Sequence, residues 1–130
     1  MSQENVEILR RAIGCLNETG EPDWDLYDPD LVWTTRGDGP AHNTYRGIDG
    51  LRRGTASLRE VWAEFNAEIL EVIDAEDAVV SVLRWRLRAQ SGIELEVVEG
   101  WVTWVRDGRI VRIEQHPGKP EALEAAGLRE

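Results

Sequence analysis

Residues 97–105 read VVEGWVTWV, a β-branched and aromatic run that carries one carboxylate, Glu99. Side chains of a strand alternate between faces, so Glu99 and Trp101 share a side with Leu95, Val97, Thr103 and Val105. A carboxylate on so apolar a face has two fates. Buried, it is desolvated, which favours the neutral form and suits it to general acid–base work. At a wet rim it is solvated or paired with an arginine, the commoner condition of Glu.

Other groups with chemistry stand earlier in the chain. Arg36 follows the strand-like run DLVWT and shares a face with Thr34; it could hold a ligand carboxylate or meet Glu99, or simply be an exposed strand-end arginine. Tyr45 and His42 lie in GDGPAHNTYRG, a glycine-rich stretch expected to be a loop able to close over a ligand. His116 alternates with Arg112 and Glu114 and so belongs on the face opposite Ile113, which argues against a catalytic role.

Several chemistries are excluded. The formal net charge of −10 opposes nucleic acid or an anionic membrane surface as the main partner. Cys15 is the single cysteine, so no intrachain disulfide forms, and no Cys/His spacing suits a metal. No glycine-rich phosphate loop implies a nucleotide, so no cofactor is expected. The amphipathic start MSQENVEILRRAIG is not a signal peptide, and no run approaches the roughly 20 apolar residues of a membrane helix. A cytoplasmic protein forming one domain over residues 1–130 is expected.

The elements that must position these residues follow from periodicity. Val6, Leu9, Ile13 and Leu16 recur at helical spacing up to Gly20. EPDWDLYD reads as a short second helix ended by Pro29, and DLVWTTR as a strand. Leu51, Leu58, Val61, Trp62 and Phe65 form one stripe of a third helix, whose start Gly50 and Gly54 leave uncertain. Four strand-like segments follow: AEILEVIDA, AVVSVLRWRLRAQ, IELEVVEGWVTWV and RIVRIEQH, joined by turns at DAED, SG and RDG. In the second of them Leu83, Trp85 and Leu87 face one way and Arg84, Arg86 and Arg88 the other, where they meet solvent, Glu94, Glu96 and Glu114, or a second copy. KPEALEAAGL is a short helix or a frayed end. Trp24 and Trp62 are expected in the core, with Trp33 and Trp104 facing outward. The class is α+β, an antiparallel meander with helices on one face.

ENVEILRRAIGCLNETG, YDPDLVW, YRGIDGLRR, DAEDAVVSVLRWRLRAQSG, WVTWVRDGRIVRIEQH and EALEAAGL together resemble the nuclear transport factor 2-like superfamily, in its SnoaL-like and ketosteroid-isomerase-like branch. The resemblance implies a cone: a curved antiparallel sheet wrapped round about three N-terminal helices, with an apolar pocket inside and homodimers formed through the outer sheet face. It places Thr34, Leu83, Trp85, Leu87, Trp101, Thr103, Ile113 and Gln115 at the pocket, and with Trp101 also Glu99. Activities on this fold range from isomerases and polyketide cyclases to proteins without catalysis, so fold does not give function. The tyrosine, base and oxyanion-hole aspartate of the steroid isomerases fall at Ile13, Thr34 and Trp101, none of which supplies the required group. The expectation is a pocket for a small apolar organic ligand. Glu99 would be the acid or base and Arg36 or Tyr45 would steady the polar end; the alternatives are a non-catalytic carrier, or a cone filled by its six tryptophans.

Overall fold

The structure, a computed structural model, describes residues 2–35 and 43–128; Arg36 and His42 lie outside them. Along the described residues the order is helix α1 (Ser2–Thr19), a 3-10 turn (Trp24–Leu26), strand β1 (Tyr27–Thr34), strand β2 (Thr44–Arg46) and helix α2 (Gly47–Val61). Strands β3 (Trp62–Asp74), β4 (Ala78–Ala89), β5 (Glu94–Arg106) and β6 (Arg109–His116) and helix α3 (Lys119–Ala125) complete it. The strands form one sheet in the order β2-β1-β6-β5-β4-β3. All neighbours are antiparallel except β1 and β6, which run parallel, so the sheet is mixed rather than a pure meander. No helix among the described residues is long and apolar enough to cross a membrane.

The helical period of α1 buries Leu9, Ala12 and Ile13 against the inner sheet face, where Leu31, Trp33, Leu83, Trp85, Trp101 and Ile113 meet them. Asn17 ties the helix to the sheet. Its side-chain amide donates to the Ala67 carbonyl and accepts from the Ala67 N–H, both at 2.8 Å. Because β3 is an edge strand, these are backbone groups that no neighbouring strand can satisfy. Ala67 lies opposite Trp85 in the β3–β4 register, so the tie fixes α1 over that ring's neighbourhood.

Four expectations about the elements are corrected. The short helix before Pro29 is only a 3-10 turn, and Pro29 lies within β1, in the stretch between Tyr27 and Val32 where the pairing with β6 breaks register. Its missing N–H therefore costs no ladder bond. The presumed loop contains β2, which pairs Trp33 with Tyr45 and Thr34 with Thr44.

Helix α2 ends at Val61, so Trp62 and Phe65 belong to β3 and not to the helical stripe, and Val61 is exposed. The residue after the helix, Trp62, is already extended (φ −112°, ψ 118°), as suits an aromatic side chain. Gly54 is buried inside α2 for a reason the helix pattern hides: a Cβ there would overlap the six-membered ring of Trp33.

KPEALEAAGL does form a short helix, α3, but helices were expected on one face only and α3 covers the opposite face of the sheet. Ala122 and Leu123 pack there on Val80 and Val102, beside Trp104. A Cβ on Gly100 would overlap the Gly118 carbonyl, so this glycine lets the chain before α3 lie directly on β5. Helices thus cover both faces. The rest of the outer face carries the arginine row. Arg84 sits 3.1 Å from both Glu68 and Glu96, and Arg88 lies 2.7 Å from Glu64, pairs too exposed to contribute much stability.

Two substitutions test this packing by urea denaturation. Asn17→Ala strands the Ala67 backbone groups and is expected to lower the unfolding free energy by about 1–3 kcal/mol. Gly54→Ala forces the Trp33 ring to move and is expected to cost about 1–3 kcal/mol, although alanine favours a helix.

Candidate functional site

Between α1 and α2 on one side and the inner sheet face on the other lies a cavity of about 300 Å³. The tryptophans do not fill the interior. They build its wall: Trp33 from β1, Trp62 from β3, Trp85 from β4 and Trp101 from β5, joined by Tyr27 and Phe65. Trp85 stands 5.5 Å from Trp101 at 34° and 6.5 Å from Phe65 at 58°, centroid to centroid. Such tilted ring contacts are favourable, and rigid flat groups shape a slot suited to a planar hydrocarbon. Leu16 of α1 and Leu51, Thr55 and Leu58 of α2 close the other side.

Polar groups are few and placed. Glu99 is the one carboxylate-bearing residue among the described residues of the wall, and no described wall residue is Lys, Arg or His. Trp101 donates its indole N–H to Glu99 Oε1 at 3.0 Å, a bond between side chains two apart on one strand, which sets the carboxylate against that ring. On β6, Gln115 accepts the Trp33 indole N–H at 2.8 Å. Tyr27 adds a phenol whose pKa is raised well above its ordinary value, by burial first and then by the neighbouring Cys15 and Asp23. It is a neutral hydrogen-bonding group at any physiological pH. Among the described residues no three His, Cys, Asp or Glu side chains gather where they could hold a metal ion.

The structure brings Glu99, Trp85, Leu87, Trp101, Ile113 and Gln115 together at this wall. Leu83 and Thr103 point to the same face but lie fully in the core and not at the cavity. Thr34 does not face the cavity. The phase of β1 is set by Leu31 and Trp33, which are buried, so Thr34 turns to the other side and Trp33, expected outward, turns in.

Tyr45 is not at the wall either: β2 holds it opposite Trp33, with their rings 5.1 Å apart. Arg36 and His42 lie outside the described residues. His116 is on the outer face, its Nε2 3.0 Å from Glu114 Oε1, and Glu114 also pairs with Arg112. Trp104 does face outward but is half-buried beside α3 with Arg112 over its ring, while Trp24 packs at the core margin under Arg52.

Tyr27, Trp33, Trp62 and Phe65 are wall residues that sequence reasoning did not assign to the pocket, Trp62 and Phe65 reading there as part of a helical stripe. Tyr27 and Trp33 sit on a strand interrupted by Pro29, and Trp62 and Phe65 straddle the switch from helical to strand period. The one sequence signal for Trp33 is Gly54, a missing side chain in the middle of an apolar helical stripe.

No curated protein sequence matches the chain. Among solved structures, an NTF2-like protein of unknown function from Burkholderia pseudomallei is similar with a TM-score of 0.78 at 21% identity, over 93% of this chain and 95% of that one. TerC, co-crystallised with polyporic acid, is similar with a TM-score of 0.77 at 18% identity, over 95% and 97%. A candidate SnoaL-like polyketide cyclase from Jannaschia sp. CCS1 is similar with a TM-score of 0.74 at 18% identity, over 88% and 85%. At these identities the likeness is one of fold. The sequence model of the SnoaL-like domain matches residues 9–113, from the first buried leucine of α1 to Ile113 of β6 at the cavity wall, and the chain belongs to that family.

Proposed function

We propose that the protein binds a small, largely apolar organic molecule in this cavity and acts on it by proton transfer, without a cofactor, in an isomerisation, cyclisation or hydration. The observation that carries the reading is Glu99, held by the Trp101 N–H at the wall of a cavity otherwise built mainly from rings and aliphatic side chains. Glu99 moves the proton; Trp85, Trp101 and Ile113 hold the hydrocarbon. The candidate cyclase and the polyporic acid complex among the structural relatives support an oxygenated ring compound as the kind of ligand to try. The steroid-isomerase mechanism is not part of the proposal, because the resemblance puts its phenol, base and acid at Ile13, Thr34 and Trp101, none of which supplies the group, and Thr34 does not face the cavity. Pairing of two copies through the outer sheet face belongs to it, supported by exposed Leu70 and by exposed Val98 opposite Arg84.

The decisive variant is Glu99→Gln, which keeps size and shape and removes the acid. Turnover of small carbonyl and polyketide-like compounds is expected to fall by about 10²-fold or more, with an unchanged circular dichroism spectrum and ligand affinity retained. A variant that turns over as fast as the native chain contradicts the assignment. A native chain that binds these compounds without converting them makes the protein a carrier. Sedimentation at twice the chain mass is the expected state, and a monomer at all concentrations removes the pairing.

A further inference from the structure

We propose that the protein takes a ring compound bearing an alkyl chain, the ring in the cavity and the chain across an apolar sill at its mouth, formed by Leu95, Ile93 and Val61. This rests on the pocket reading above and extends it to a part of the ligand that lies outside the cavity.

Burial along the wall locates the mouth. Trp85, Trp101 and Ile113 are buried, whereas Trp62, Phe65, Leu87 and Val97 are partly exposed. The cavity therefore opens at the end of the sheet where β3 begins, β4 ends and β5 begins.

Two cross-strand rows run from this part of the wall onto the surface. In the first, Phe65 of β3 lies opposite Leu87 of β4, and Leu87 lies opposite Leu95 of β5. In the second, Trp62 lies opposite Ala89, whose N–H donates to the Ile93 carbonyl at 2.8 Å. Alternation keeps Ile93 and Leu95 on the face of Val97, a wall residue. Leu95 is nevertheless 49% exposed and Ile93 63%, and Val61, next to Trp62 at the end of α2, is 54% exposed.

Size decides what covers these side chains. A cavity of about 300 Å³ is at the small end of ligand pockets, with room for rings but not for a long substituent as well. Three aliphatic side chains expose far less than the roughly 800 Å² per partner of a stable protein interface. An alkyl chain leaving the mouth fits the sill, because each methylene laid on Leu95 and Ile93 leaves water on one side.

The test compares 2-acetylnaphthalene with 2-hexanoylnaphthalene, which share a ring system and a carbonyl and differ in chain length, by quenching of tryptophan fluorescence. Affinity is expected to rise about tenfold with the longer chain, less than full burial of its added methylenes would give. In the double variant Leu95→Gln, Ile93→Gln the rise is expected to shrink to about twofold, while 2-acetylnaphthalene, which ends inside the cavity, binds as before. Val98→Gln, also exposed but on the other face of β5, is expected to keep the full rise. Equal affinity of the native chain for the two ketones, or a rise that survives the double substitution, overturns the inference and leaves the pocket reading intact. A surviving rise in a double variant that sediments as a smaller species gives the sill to a second copy. Equal loss of both ketones in that variant makes Leu95 and Ile93 supports of the wall, which also overturns the inference. Binding of neither ketone to the native chain overturns both readings.

Discussion

Trp33 buries its ring where α2 offers Gly54 and no Cβ, and its N–H reaches Gln115 on the neighbouring strand. That arrangement holds three elements in one relation. If the ring could not enter, β1 would lose the phase that turns Leu31 and Trp33 inward, and a one-residue slip reverses every side chain of a strand. Gln115 would lose the bond that gives its amide a direction, and α2 would ride further from the sheet. The cavity wall is a consequence of this one packing choice, and a second aromatic, Tyr45 on β2, backs it at 5.1 Å.

The interior is built from large rigid rings rather than from leucines alone, and this is why space remains. Rings pack at a tilt, as Phe65, Trp85 and Trp101 do, and cannot reshape themselves as flexible side chains do to close a gap. An apolar space of this size is unfavourable when unfilled, so the frame round it must be tied elsewhere. Asn17 on the β3 edge and α3 on the outer face do this, one by hydrogen bonds and the other by burying Ala122 and Leu123. Within that frame Glu99 is placed by strand alternation and fixed by its own neighbour Trp101.

Much of this was legible in the residue order. The helical repeat of Leu9, Ile13 and Leu16 and the alternation in β4, β5 and β6 are strong single-element signals; alternation grouped Glu99 with Trp101, and the family resemblance chose the inner face for them and for Trp85. The other side of the wall was not legible, because there the period changes within a few residues. Trp62 and Phe65 fit a helical stripe as well as a strand, and only the packing of the sheet decides. Trp33 and Thr34 differ by one position on a strand whose pairing is broken near Pro29, so counting outward from either end gives no phase. Tyr45 looked like part of a loop because it follows a glycine-rich stretch, and local composition cannot report that Thr44–Arg46 pair with β1.

The central claim is that an apolar cavity lies open between the helices and the sheet with Glu99 on its wall. Diffraction from crystals pressurised with xenon tests it most directly, since xenon enters apolar cavities and reports its position without needing a chosen ligand. The account predicts xenon density bordered by Trp85, Trp101 and Trp33, with the Glu99 carboxylate on the same wall in its bond from Trp101. Rings of Trp85 and Trp101 that meet the helices and leave no xenon site, with Glu99 turned out to solvent, would contradict it.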